Sequence, residues 1–129
     1  MFISAGISAI KYAYRSDPYP KPQNALENTG NNKVRDLSYN ELLPNEKAAY
    51  DGYSTNGWRG NYPGQSPGTR AGRLYKNETK VLPFGNYREF DINSRIPGMS
   101  RDASRFVVSD KFDIYLTRNH YATFFRVLK

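Results

Sequence analysis

A change of hydrophobic period constrains this chain more than any other feature. From about residue 86 onward apolar side chains recur at every second position, the spacing of strands whose two faces differ. In "NYREFDIN" (86–93), Phe90 and Ile92 take one face while Tyr87, Glu89 and Asp91 take the other. In "SRFVVS" (104–109), Phe106 and Val108 oppose Arg105 and Val107. In "FDIYLT" (112–117), Phe112, Ile114 and Leu116 alternate with Asp113, Tyr115 and Thr117. The break at Ser109-Asp110-Lys111 reads as a turn between antiparallel strands, and "ATFFRV" (122–127) as a last short strand.

Upstream the pattern is different. Pro44 suits a first helical position, Glu46 the first turn, and Ala48, Ala49 and Tyr50 the body of a short helix that Gly52 or Gly57 would end. Ser38 and Glu41 form a capping-box pair for an earlier turn. The stretch 57–72 holds five glycines and two prolines, which predicts a folded loop. Residues 16–32, rich in Pro, Asn, Gly and Ser, read as loop or linker, and Ile3, Ile7 and Ile10 fall on one face of a short docking helix. The predicted fold is α+β, with N-terminal helices packed on a twisted antiparallel β-sheet. The expected division is a folded domain at 37–129 and an N-terminal extension, partly loop, at 1–36.

Composition narrows the chemistry. A chain of 129 residues with 38% hydrophobic residues supports one modest core. The absence of cysteine excludes disulfides, a thiol nucleophile and cysteine-ligated metal, and a single histidine excludes a multi-histidine metal site. No metal and no cofactor are therefore expected. "MFISAGISAI" is too short for a membrane span, which needs about 20 apolar residues, and lacks the charged start of a secretory signal. Neither membrane association nor a signal peptide is expected in this chain. Residues 1–56 carry six Lys/Arg against six Asp/Glu, while 57–129 carry thirteen against six, so the whole net charge of +7 lies in the second half. A basic excess confined to one half fits a face that attracts a polyanion, or a solvated surface that keeps the protein soluble.

With Phe90, Ile92, Phe106 and Val108 in the core, alternation projects Glu89 and Arg105 together from the opposite face. Taken alone, the two fit an exposed cross-strand ion pair worth little. His120, the one histidine, sits in the polar segment "TRNHYA", where it is an exposed loop residue or a proton donor. One carboxylate to act as base, one imidazole to act as acid, and two arginines for a phosphate are the parts for attack of a ribose 2′-hydroxyl on its own 3′-phosphate.

Residues 67–126 resemble the bacterial guanyl-preferring ribonucleases, the barnase and binase group. "YREFDIN" is similar to that family's base-bearing strand, "RDASR" to its phosphate-binding arginine pair, and "FDIYLTRNHYATF" to the strand and loop carrying its acid. The fifteen-residue step from Arg105 to His120 also matches. The resemblance implies Glu89 as general base, His120 as general acid, Arg101 and Arg105 as phosphate ligands, and Tyr121 as a further residue of the site. It places the base-recognition loop at "KNETK" (76–80), with Asn77 in register and Glu78 one position early. Lys47 stands one turn from Tyr50, where the family's helix lysine would fall. Arg73 is expected to help steer RNA onto the site.

These residues lead us to expect a metal-independent endoribonuclease that cleaves single-stranded RNA to 2′,3′-cyclic phosphate. The expected partners are RNA and an acidic barstar-like inhibitor or immunity protein. A monomeric toxin is expected, secreted or delivered into a target cell and acting in its cytoplasm. The alternatives are a non-catalytic RNA-binding module that stacks bases on Tyr75, Tyr87, Tyr115 and Tyr121, and an interaction domain for an acidic partner.

Overall fold

A computed structural model describes residues 33–129. The expected helix around Ile3, Ile7 and Ile10 and the linker at 16–32 lie outside the described residues. In chain order the elements are β1 (Val34–Ser38), a 3₁₀ turn (Tyr39–Glu41), α1 (Pro44–Thr55), β2 (Ala71–Tyr75), β3 (Tyr87–Asp91), β4 (Arg105–Ser109), β5 (Ile114–Thr117) and β6 (Phe124–Leu128). The strands form one sheet in the order β1-β6-β5-β4-β3-β2. This is an α+β fold with one helix on a six-stranded sheet.

Two details correct the sequence expectation. The sheet is mixed: β2 to β6 pair antiparallel, but β1 runs parallel to β6, with Val34 beside Phe124 and Ser38 beside Leu128. Parallel neighbours need a long crossover, and everything from α1 to β5 supplies it. Secondly, the described residues hold one α-helix, because the earlier turn stops as 3₁₀ where Leu42 becomes extended ahead of Pro44. The expected boundary at 36/37 falls inside β1.

The local signals around α1 work as their chemistry dictates. Ser38 Oγ accepts from Asn40 N at 3.2 Å while Glu41 Oε1 accepts from Ser38 N at 2.9 Å, closing the capping box on the 3₁₀ turn. Pro44 opens α1, and Glu46 reaches back to the Leu43 N–H at 2.9 Å. At the other end Gly57 (φ +69) takes the left-handed position. Gly57 N bonds to Ser54 O and Trp58 N to Tyr53 O, the paired bonds of a Schellman stop. Gly52 does not end the helix. It leaves room for the Tyr62 ring, which a Cβ would meet at 2.6 Å.

One sheet face packs against α1. Phe90, Ile92, Phe106 and Val108 lie there as alternation predicts, with Ile114, Leu116, Phe125 and Val127, against Leu42, Ala49, Tyr50 and Tyr53. Trp58 stands edge-on to Tyr50, Phe90 and Phe106 and stacks on Tyr53. Burying each such ring stabilises the fold by about 1.5–3 kcal/mol. The other face is not simply polar. Tyr75, Val81, Leu82, Tyr87, Val107, Tyr115 and Phe124 form a second apolar cluster there, covered by the segment after β2. Val107, which alternation places on the face of Glu89 and Arg105, is fully buried. Phe112 departs the other way: it lies in the 109–112 turn at φ +65, and is 64% exposed.

Candidate active site

Glu89 projects from the middle of β3 onto the face opposite α1, opposite Val107 on β4 and Arg73 on β2. Arg73 is exposed and stands beside Glu89 on that face. Tyr121 donates its hydroxyl proton to Glu89 Oε1 in a short hydrogen bond. Burial first, then this bond, pushes the Tyr121 phenol above its ordinary range. Its ring stacks on Tyr75 at 4.7 Å between centroids. The carboxylate is thus held from one side by a tyrosine and approached from the other by two arginines.

Those arginines are organised by a residue the sequence reasoning passed over. Asp91, two positions along β3 and so on the same face as Glu89, is 3% exposed. Its side chain accepts from Arg101 Nη2 at 2.5 Å, from Arg101 Nε at 3.3 Å and from the Arg70 backbone N–H at 2.9 Å. Arg105, opposite Asp91 in the sheet register, places Nε 3.3 Å from Asp91 Oδ1 and 3.8 Å from Glu89 Oε1. Its Nη1 donates to the carbonyls of Asp102 and Ser104 at 2.5 and 3.0 Å. Arg101 Nη2 lies 4.0 Å from Glu89. The same period-two alternation that exposed Glu89 also marked Asp91, so the signal was present in the sequence.

Arg105 is 2% exposed, which corrects the expectation of a surface group. Its Nε has no hydrogen-bond partner among the described residues. That Nε is closed off from solvent and lies at ion-pair distance from both Asp91 and Glu89. Burial pushes the pKa of Arg101 down, but the bond and charge of Asp91, followed by Glu89 and Tyr121, outweigh it and hold it above the ordinary value.

His120 follows β5 in a loop whose backbone is unusual: His120 and Tyr121 both adopt left-handed conformations, at φ +56 and +74. Such residues persist only where surrounding contacts over-determine them. Here Tyr121 N donates to Thr117 Oγ1 at 3.0 Å, Asn119 Nδ2 to Thr123 Oγ1 at 2.8 Å, and His120 N to Ala103 O at 3.1 Å. The last bond joins the loop to the segment carrying both arginines. Burial, then the charges of Arg105 and Arg101, hold the His120 imidazole below its ordinary 6.5, with Glu89 pulling it up.

Residues expected in the recognition loop are less directly engaged. Asn77 takes a left-handed conformation (φ +52), and its side chain is bound in both directions by the Leu82 backbone, at 2.9 and 3.3 Å. It shapes the loop, spending one amide N–H and one carbonyl lone pair on Leu82. Glu78 and Thr79 are exposed on that loop. Lys47 does not join the site. Its ammonium lies 5.6 Å from the Tyr39 ring centroid, on the helix side of the sheet. The Tyr50 position beside it is occupied by a core residue. Tyr75, Tyr87 and Tyr115, expected as stacking platforms under the binding-module alternative, are all at least nine-tenths buried. Among the described residues no three His, Asp or Glu side chains converge as metal ligands, and no helix is long and apolar enough to cross a membrane.

A carboxylate, an imidazole and two arginines on one face of an α+β sheet are the groups that acid–base cleavage of a phosphate ester requires. The sequence model of the ribonuclease family matches residues 23–128, and the chain belongs to that family. No curated protein matches the sequence. Among solved structures the chain is similar to ribonuclease Sa2 with guanosine-2′-cyclophosphate, at 23% identity and a TM-score of 0.57, covering 74% of this chain and 96% of that one. It is also similar to ribonuclease Sa2 in mononucleotide complexes (24% identity, TM-score 0.57, 74% and 95% covered). A third ribonuclease Sa2 structure, with exo-2′,3′-cyclophosphorothioate, is 26% identical at a TM-score of 0.53, with 72% and 94% covered. The membership expected from the three motifs is borne out, as is the α+β class.

Proposed function

We propose that this ribonuclease is a metal-independent endonuclease of single-stranded RNA that forms a 2′,3′-cyclic phosphate and then hydrolyses it. Glu89 takes the proton of the ribose 2′-hydroxyl as its oxygen attacks the adjacent phosphorus. His120, as imidazolium, gives a proton to the departing 5′-oxygen, and the chain is cut with a cyclic phosphate on its 3′ end. In the second step water attacks, the two groups exchange roles, and a 3′-phosphate remains. Arg101 and Arg105 stabilise the charge that grows on the phosphoryl oxygens.

The observation that carries this reading is the convergence of two arginines on one carboxylate: Arg101 Nη2 lies 4.0 Å and Arg105 Nε 3.8 Å from Glu89 Oε1, with Asp91 in contact with both guanidinium groups. That solved structures of ribonuclease Sa2 hold cyclic phosphate ligands supports the cyclising route. Because the 2′-hydroxyl is the nucleophile, DNA should bind but survive. The reading extends to an acidic protein inhibitor that fills the arginine site and to action as a toxin in the cytoplasm of a target cell, since such an enzyme otherwise destroys the RNA of its producer. The test is incubation with single-stranded RNA in excess EDTA, followed by ³¹P NMR of the products. Cyclic phosphate that later decays to 3′-phosphate supports the reading, while RNA that is bound and left intact defeats it.

A further inference from the structure

Glu46 and Arg118 are 72 residues apart in the chain and meet in a two-point ion pair. Arg118 Nε donates to Glu46 Oε2 at 2.8 Å and Nη2 to Glu46 Oε1 at 2.9 Å. The side chains are only 2% and 11% exposed, and the Arg118 guanidinium also lies over the Phe125 ring at 5.0 Å. Glu46 is fixed in turn by the Leu43 N–H at the start of α1. The helix packs on one face of the sheet, and the acid–base groups lie on the other. This pair is a side-chain link from α1 to the segment, two residues before His120, that presents the acid.

On the reading that His120 is the general acid, we infer that Glu46 and Arg118 are positioning residues for it. The loop they anchor must hold two successive left-handed residues, His120 and Tyr121, against their backbone preference. The bonds from Thr117, Asn119 and Thr123 shape the loop from within. Attachments outside the loop set where it stands relative to Glu89 and the arginines: His120 N to Ala103 O and the Tyr121 hydroxyl to Glu89 on its far side, and the Glu46–Arg118 pair where it leaves β5. A planar two-point guanidinium–carboxylate contact fixes orientation as well as distance, which a lysine point charge does not. Proton donation is steep in geometry: a displacement of about 1 Å can cost on the order of 10²-fold in rate.

The test uses the full chain and two substrates. One is a dinucleoside phosphate, whose alkoxide leaving group needs a proton. The other is a ribonucleoside 3′-(4-nitrophenyl phosphate), whose phenolate leaves without one. Arg118→Lys, and a Glu46→Met/Arg118→Met double variant that removes both charges together, should each lower kcat on the dinucleoside phosphate by about 10- to 100-fold with KM little changed. Both should act nearly normally on the nitrophenyl substrate. In a His120→Ala background the same substitutions should cost nothing further. Circular dichroism melts confirm that each variant is folded at the assay temperature. Equal losses on both substrates, or a loss that persists without His120, or no loss at all, overturns the positioning role alone. If His120→Ala itself leaves dinucleotide cleavage intact, the assignment of the acid fails, and the inference fails with it.

Discussion

Replacing Asp91 with asparagine tests how the site is built before any question of turnover. The substitution keeps the size of the side chain and an acceptor for the Arg70 N–H, and removes the charge that Arg101 and Arg105 share. Breaking one partner out of a buried ion pair costs about 3–5 kcal/mol, against about 0–1 kcal/mol for an exposed one. Asp91 and Arg105 are almost wholly buried, but the Arg101 side chain keeps 21% of its exposure and can turn to water. The lower end, about 3 kcal/mol, is therefore expected. At about 4 °C per kcal/mol for a chain of this size, the melting temperature should fall by about 12 °C. Trp58 is the single tryptophan and lies among Tyr50, Tyr53, Phe90 and Phe106, so its fluorescence reports the melt. Two guanidinium groups deprived of their carboxylate should also bind anions more tightly. Inorganic phosphate should raise the melting temperature of Asp91→Asn more than that of the unaltered protein, by ligand linkage. A loss below about 4 °C, or an equal phosphate response in the two proteins, would show that the arginines are held without Asp91.

Four further outcomes follow from the same geometry. Glu89→Gln and His120→Ala should each lower kcat/KM by about 10²–10⁴-fold while leaving the melting temperature nearly unchanged, and an unfolded variant would identify a structural residue instead. His120 must carry its proton to act as acid, and its pKa in the free protein lies below 6.5, so kcat/KM should fall as pH rises through that lower value. The same depressed pKa contributes stability that is present above pH 6.5 and lost as pH falls toward the native value, because the unfolded chain binds the proton more readily; His120→Asn should flatten that part of the melting-temperature profile. Finally, Lys47→Ala should leave kcat within about two-fold of normal, since Lys47 faces Tyr39 on the helix side; a large kcat loss would mean that α1 reaches the substrate.

The sequence displayed the site's chemistry more clearly than its surroundings. Alternation in "NYREFDIN" and "SRFVVS" was enough to put Glu89 and Arg105 on one face, because a strand has only two faces to offer. The caps at Ser38, Pro44 and Gly57 were readable because each is a bond within a few residues. What escaped was long-range. β1 is only "VRDLS", a five-residue edge strand whose pairing partner lies ninety residues away. β2 follows directly on a glycine-rich loop and carries a bulge at Gly72, φ +90, so its periodicity is broken where it starts. Burial of Val107 and of the tyrosines depends on residues 81 and 82 folding back over the sheet, which no local pattern announces. Lys47 was placed by counting along a helix, and the count said nothing of which way α1 would turn.

The charges around the phosphate site show why these residues stand so close. Two carboxylates, Glu89 and Asp91, face two guanidinium groups, Arg101 and Arg105, so the free site is close to neutral at its centre. Asp91 takes the stronger contacts, 2.5 and 3.3 Å, and leaves Glu89 the weaker ones, 4.0 and 3.8 Å. A base pinned by two close arginines would be a poor proton acceptor, and a base left alone would repel the phosphate it must work beside. The division of labour between the two acids avoids both extremes. Asp91 holds the guanidinium groups in place, and on the proposed mechanism their remaining donors would screen the phosphate from Glu89 while Glu89 meets the 2′-hydroxyl. The same arginines depress His120, and a bound phosphate would offset part of their charge. Substrate binding should therefore raise the fraction of His120 that carries a proton to give.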